Sequence, residues 1–259
     1  MRLSGRTLRV LFTLLLAVQG EPVWSARTKV IVRSVDRPVP EQAYGVCVPV
    51  RLSRDGVPVC VYDARLADGA AVAALTRDEL AARGIRPLDE VLAGWREREL
   101  RLFLELCRPA AETLSEEARA ERELILSRAG AGVPPAFAEE APCSCEALAD
   151  EALQTAYRAG FRQGAVWLVT DDAAVFARYG GKSSGVPVCC LSADGAAAAG
   201  ARGLLLHRSQ VASKTGVKRL RRGGRRVAVW DVNSAEDAAA MGACGVDFIV
   251  TDDPASIVD

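Results

Sequence analysis

The residues of this chain equipped for chemistry are one histidine and a set of carboxylates at the ends of apolar runs. His207 follows Leu204-Leu205-Leu206, and Asp63, Glu105, Asp171, Asp172, Asp231, Asp252 and Asp253 fall at or just after similar runs. An imidazole can give and take protons near neutrality, and converging carboxylates hold a hard divalent cation. Glu105, Asp171 and Asp231 are the three that could build such a centre. The same residue types also cap helices and accept loop hydrogen bonds. His207, next to Arg208, reads more simply as a hydrogen-bonded rim residue than as a displaced acid/base group. The densest basic run, Lys218 to Arg226, has the composition to bind anionic lipid or nucleic acid. Its place at an expected helix end, followed by Gly223-Gly224, favours a solvated basic turn, since cations complement a helix C-terminus.

The elements that must position these groups are legible from periodicity. Nine apolar, β-rich runs are expected as strands: Lys29–Arg33, Val46–Leu52, Val57–Tyr62, Leu102–Cys107, Ala165–Thr170, Val186–Leu191, Gly203–His207, Val227–Val232 and Val246–Thr251. Several are apolar throughout, as in a parallel sheet covered on both faces. Helical patterns lie between most of them. Thr76-Arg77-Asp78-Glu79 has the form of a capping box, Leu88–Leu100 is amphipathic, Glu146–Ala159 reads as a helix ending at Gly160, and Ser234 caps a helix that Gly245 stops. Alternating strands and helices over this length imply a (β/α)8 barrel or an open doubly wound sheet. Nine strands are one too many for a barrel. The link Arg54-Asp55-Gly56 is a hairpin-type turn, so the second and third runs are expected to include one extra rim element. No G-x-G-x-x-G follows the first strand, which argues against dinucleotide binding.

Composition bounds the rest. The chain has 259 residues, 33 basic and 33 acidic, so nothing global points to nucleic acid as a partner. Arg2, Arg6 and Arg9 precede the short apolar run Val10–Val18, and no acid occurs before Glu21. Residues 1–20 therefore read as a signal peptide or leader, giving a secreted or secretory-pathway protein; an organelle transit peptide or a retained membrane anchor are the alternatives. The expected domain spans residues 27–259, with Ala110–Pro142 as a helix plus a long exposed connection. Of eight cysteines, Cys47, Cys60, Cys107, Cys189 and Cys190 fall in expected buried strands and read as free thiols, while Cys143-Ser144-Cys145 reads as an exposed loop pair.

Gly45–Asp63, GVCVPVRLSRDGVPVCVYD, carries a further signal: Asp55-Gly56-Val57-Pro58-Val59 forms an Asp-Gly-x-Pro-Val segment. Around it come Pro40-Glu41-Gln42, the helix start Thr76 to Leu80, Pro87-Leu88-Asp89-Glu90-Val91-Leu92 and Glu105-Leu106-Cys107. Later come Val229-Trp230-Asp231-Val232-Asn233 and Gly245-Val246-Asp247-Phe248-Ile249-Val250-Thr251-Asp252-Asp253-Pro254. In this order and spacing the pieces resemble the glycerophosphodiester phosphodiesterase family, from Lys29 onward.

The resemblance implies a (β/α)8, TIM-barrel-like fold of the phospholipase-C-like phosphodiesterase type. It also implies a reaction: hydrolysis of a glycerophosphodiester to glycerol 3-phosphate and an alcohol, in lipid metabolism, with a divalent cation (Mg²⁺ or Ca²⁺). In that family two histidines move protons and acidic residues hold the cation. Here Arg33 and Tyr62 stand near the two histidine positions, Cys47 and Pro49 replace two oxygen ligands, and Cys107 replaces a lysine. Glu105 survives as a possible ligand, and Asp63 and Trp230 as pocket residues. Cys and Pro supply no carboxylate for a hard cation, and a tyrosine titrating near pH ~10 is a poor substitute for histidine. The expectation is a catalytically impaired pseudoenzyme that keeps a pocket for a glycerophosphodiester or lipid-derived small molecule, the alternative being an active metal-dependent phosphodiesterase with a rebuilt site. No nucleic-acid partner is expected, and a membrane only through the leader.

Overall fold

The computed structural model describes residues 28–35, 37–107, 144–181, 184–193 and 200–258. The leader over residues 1–20, the connection Ala110–Pro142 and Cys143 lie outside them.

Among the described residues nine strands occur in chain order: β1 Lys29–Arg33, β2 Gly45–Leu52, β3 Pro58–Val59, β4 Arg101–Leu106, β5 Val166–Thr170, β6 Val188–Cys190, β7 Gly203–His207, β8 Arg226–Trp230 and β9 Phe248–Thr251. Eight of them pair in parallel around a closed ring, β1-β2-β4-β5-β6-β7-β8-β9 and back to β1. The barrel expected from the sequence is therefore present, and the open-sheet alternative is not. The surplus strand is β3, which pairs antiparallel with the end of β2 through Arg51↔Val59. It is shorter than its apolar run because Pro58 lacks a backbone donor and the chain turns away after Val59 to let Cys60 bond Arg86. The Asp-Gly turn forms as expected. Ser53 closes it from both sides, its hydroxyl taking the Val57 N–H at 2.9 Å and its own N–H reaching the Val57 carbonyl at 3.0 Å.

Helices α1 Arg77–Ala81, α2 Leu88–Ala93, α3 Cys145–Arg158, α4 Ala173–Tyr179, α5 Lys214–Leu220, α6 Ala235–Cys244 and α7 Ala255–Val258 lie between or after the strands. Thr76 and Glu79 complete the capping box of α1. α2 stops at Ala93 rather than running to Leu100, since Gly94 follows and the chain breaks into turns. Ser144 caps α3, which puts Cys145 in its first turn, buried at 5% exposure; the exposed loop pair expected at 143–145 does not hold for Cys145. Gly245 ends α6 in the left-handed region, at φ 84°, where a Cβ is disfavoured. No helix among the described residues is long and apolar enough to cross a membrane.

Strand alternation divides the core in two. Val46, Val48, Leu102, Leu104, Leu168, Leu204 and Ile249 point outward under the helices. Ile31, Cys47, Phe103, Val169, Cys189, Leu205, Ala228 and Val250 fill the barrel interior. The same rule settles the vicinal cysteines. Cys189 faces the interior and Cys190 the helices, and none of the seven described cysteines is joined in a disulfide.

Candidate functional site

Inward positions at the C-terminal ends of the strands bring together residues distant in sequence, at the end where barrel enzymes place their chemistry. Arg33 ends β1, Cys47 lies on β2, Glu105 on β4, and Trp230 ends β8. The chain leaving β3 delivers Tyr62, whose carbonyl is held by the Arg51 guanidinium at 2.8 and 3.1 Å.

Glu105 is the centre of this group. It is 5% exposed, and both its oxygens are engaged: the Tyr62 hydroxyl donates to Oε1 at 2.6 Å, and the Cys47 thiol to Oε2 at 3.7 Å. Tyr62 is 49% exposed, but local desolvation of its hydroxyl beside the Glu105 charge still pushes it well up, and full burial with the same charge keeps the Cys47 thiol protonated. Both therefore act as donors to a carboxylate rather than as bases.

Arg33 supplies the positive charge. Burial would lower its pKa, but the neighbouring acidic groups, with the Glu105 and Asp252 carboxylates the charged ones near neutrality, more than offset that and raise it. Its guanidinium carbon lies 5.8 Å from the Tyr62 ring centre and 5.4 Å from that of Trp230. At such distances cation–π attraction operates. Its nearest acid is Asp252, Nε to Oδ1 3.9 Å, and this buried Nε has no hydrogen-bond partner. A buried guanidinium N–H left unpaired is a donor held for an acceptor.

His207 also meets Trp230, edge-on at 4.6 Å between ring centres. It caps a short turn, Arg208–Gln210. The Ser209 N–H donates to Nδ1 at 3.3 Å, which places the ring proton on Nε2, facing Asp231 Oδ2 at 3.1 Å. The Ser209 hydroxyl lies 2.7 Å from Nδ1. Asp231 adopts a left-handed backbone, φ 64°, and its carboxylate pKa is lowered by the hydrogen bonds from His207 first and Arg208 second. That relay was not visible in the sequence. His207 and Asp231 were each recognisable as candidates, but their pairing was not, because the left-handed turn that aims Asp231 cannot be read from residue types.

The remaining sequence candidates disperse. Asp63 is exposed on the loop after Tyr62, near Arg51. Asp172 caps α4 and Asp253 accepts from Ser256. Asp171 is exposed at the end of β5, and Asp231 is committed to His207 and Arg208. Glu105, Asp171 and Asp231 thus do not converge, and among the described residues no three His, Cys, Asp or Glu side chains gather to hold a metal ion. The family's divalent cation does not fit this donor set. One buried carboxylate already shared by an O–H and an S–H donor, beside a fixed guanidinium, is not an oxygen cage for Mg²⁺ or Ca²⁺.

Cys107, just after β4, illustrates the electrostatics in a measurable way. Burial pushes its thiol up to about 11, with Arg51 opposing. At pH 8 such a group is ionised on the order of 100-fold less than an ordinary thiol near pH ~8.5. Iodoacetamide labelling of Cys107, followed by mass spectrometry, is expected to be slower by about that factor and to rise about tenfold per pH unit up to pH ~10. Labelling as fast as free cysteine at pH 8 would show that this end of β4 is open to solvent.

Residues 165–256 match the model of the glycerophosphoryl diester phosphodiesterase family. Among the curated proteins none matches the chain. Solved structures do. A Silicibacter pomeroyi protein superposes with a TM-score of 0.64 at 19% identity, over 90% of this chain and 92% of its own. A Parabacteroides distasonis glycerophosphodiester phosphodiesterase gives 0.61 at 21% identity, over 87% and 93%. An Oleispira antarctica phosphodiesterase, solved in complex with the product sn-glycerol-3-phosphate, gives 0.62 at 17% identity, over 90% and 96%. The resemblance drawn from the motifs is thus matched over residues 165–256, and the solved structures share the fold of the barrel.

Proposed function

We infer that this glycerophosphodiester phosphodiesterase-like chain, with that family's signature over residues 165–256, binds a glycerophosphodiester or glycerophosphate-type ligand at the C-terminal mouth of its barrel and does not hydrolyse it by the family's metal-dependent route. The observation that carries the reading is Arg33. A guanidinium with a buried, unpartnered Nε stands against Trp230 and Tyr62, where the resemblance calls for a histidine. Arginine forks match phosphate oxygens, and a cation fixed by covalent structure can neutralise a phosphate without a metal. Hydrolysis needs more: a base for the attacking oxygen and an acid for the departing alkoxide. Tyr62 and Cys47 are held as protonated donors to Glu105 and do neither near neutrality.

A second reading, slow hydrolysis through a different acid/base group, is favoured by the His207 relay on the same mouth, which shares the Trp230 ring with Arg33. One experiment separates the two. Purified protein is incubated with glycerophosphocholine and Mg²⁺ or Ca²⁺, and sn-glycerol 3-phosphate binding is measured by calorimetry in parallel. The expected result is no release of glycerol 3-phosphate above background, with saturable binding weakened at least tenfold, about 1.4 kcal/mol, by Arg33→Met. Metal-dependent turnover lost in Glu105→Ala would overturn the binding-only reading. Turnover lost in His207→Ala but kept in Glu105→Ala would establish the second.

A further inference from the structure

The opposite, N-terminal end of the barrel holds a hollow of about 620 Å³ that the site above does not use. Its rim is set by strand-initial residues: Lys29 opens β1, Arg101 opens β4 and Arg226 opens β8. Its floor is aromatic. Trp167 stacks on Phe103 at 5.6 Å and meets Phe248 edge-on at 6.5 Å.

The charges around it do not cancel. The one carboxylate, Asp247, is buried and saturated. Arg221 grips it with a two-pronged fork at 2.8 and 3.0 Å, Arg226 reaches it at 3.0 Å, and the Val227 N–H donates at 2.9 Å. Arg221 alone neutralises it, which leaves Arg226 in surplus. Lys29 and Arg101 have no ion-pair partner among the described residues. The Lys29 ammonium sits 4.0 Å over the Tyr44 ring, and Arg101 donates to the Gly164 carbonyl at 2.7 Å. The basic run 218–226 is therefore only in part the solvated turn expected from sequence, because two of its arginines are tied to Asp247 and turned toward this hollow. Cations that only complement helix C-termini sit on helix ends. Lys29, Arg101 and Arg226 instead begin strands and line one concavity, where like charges raise the local potential for an anion.

We propose that this cup is a second binding site, for a small organic anion: a phosphate or carboxylate group held among Lys29, Arg101 and Arg226, with a flat apolar body resting on Trp167. The cations supply charge-assisted hydrogen bonds, and the indole supplies stacking area.

The test titrates the full protein with phenyl phosphate, benzoate and inorganic phosphate, following tryptophan fluorescence and calorimetry. Phenyl phosphate or benzoate is expected to bind saturably and at least tenfold tighter than inorganic phosphate, the better of the two telling a phosphate from a carboxylate site. Lys29→Gln and Arg101→Gln, with thermal melting checked for each, are each expected to weaken that binding about tenfold. Arg33→Met, at the far mouth, is expected to leave it unchanged, so failure here and failure of the glycerophosphate reading are distinguishable. The proposal is overturned if neither aromatic anion saturates by millimolar concentration, if inorganic phosphate binds as well as both, or if both rim variants bind as tightly as the natural protein.

Discussion

Gly45→Ala is expected to lower the melting temperature by roughly 4–10 °C while leaving the far side of the barrel intact in the folded fraction. Gly45 opens β2 and pairs with Arg101 at the start of β4. A Cβ placed there would lie 2.5 Å from the Arg101 carbonyl oxygen and 3.1 Å from its Cβ. The obstacle is backbone, so no side-chain rotation relieves it. β2 and β4 share the longest parallel register of the barrel, six residue pairs from Gly45↔Arg101 to Val50↔Leu106. Displacing its first pair propagates along a ladder whose outward residues, Val46, Val48, Leu102 and Leu104, are fully buried. Overpacking of this kind costs about 2–3 kcal/mol. Differential scanning fluorimetry measures it directly; a melting temperature unchanged within a degree would mean that the two strand ends separate at no cost.

Much of this architecture was legible because its determinants are local. Nearly continuous apolar runs mark strands buried on both faces, and Thr76-Glu79 and Ser234-Gly245 announce helix ends by side-chain capping and left-handed glycine geometry. The surplus ninth strand was recognisable from the Asp55-Gly56 turn alone. Misreadings arose where a longer-range or weaker influence decided. Leu88–Leu100 keeps helical spacing past Gly94, but the chain needs that segment to return to the start of β4. Cys145 looked exposed from its neighbours, yet its position in the first turn of α3 packs it under the sheet. At the site, the substitutions Arg33, Cys47 and Tyr62 could be located by motif, but not their conversion into a hydrogen-bonded cluster on Glu105. That depends on β2 and β4 being neighbours, a contact 58 residues apart in the chain. The pairing of Arg221 and Arg226 with Asp247 was hidden for the same reason.

The largest effect at the functional mouth is expected from Glu105→Leu, which should cost roughly 3 kcal/mol, and the cost should fall by at least ~1 kcal/mol when Arg33→Met is made with it. Removing the carboxylate alone strips the Tyr62 hydroxyl and the Cys47 thiol of their acceptor and leaves Arg33 with Asp252, 3.9 Å away, as its nearest acid. A largely buried guanidinium that loses part of its counter-charge is destabilising, whereas an apolar pair of similar size in the same barrel mouth is tolerated. Non-additivity in urea unfolding would show that Arg33 and Glu105 are a coupled unit, an internal cation held against the acid that the family resemblance assigns to metal binding. Strict additivity would mean that Arg33 is compensated elsewhere and that Glu105 stands free to recruit an external cation. Ligand binding gives the cycle its functional meaning. With Glu105→Leu alone, Arg33 loses a competitor for its charge, so glycerol 3-phosphate affinity per folded molecule is expected to rise severalfold. If Glu105 instead served as a metal ligand, the same change would lower affinity in Mg²⁺ and leave it unaltered in EDTA. The direction of that single shift decides whether this barrel has exchanged a metal for an arginine.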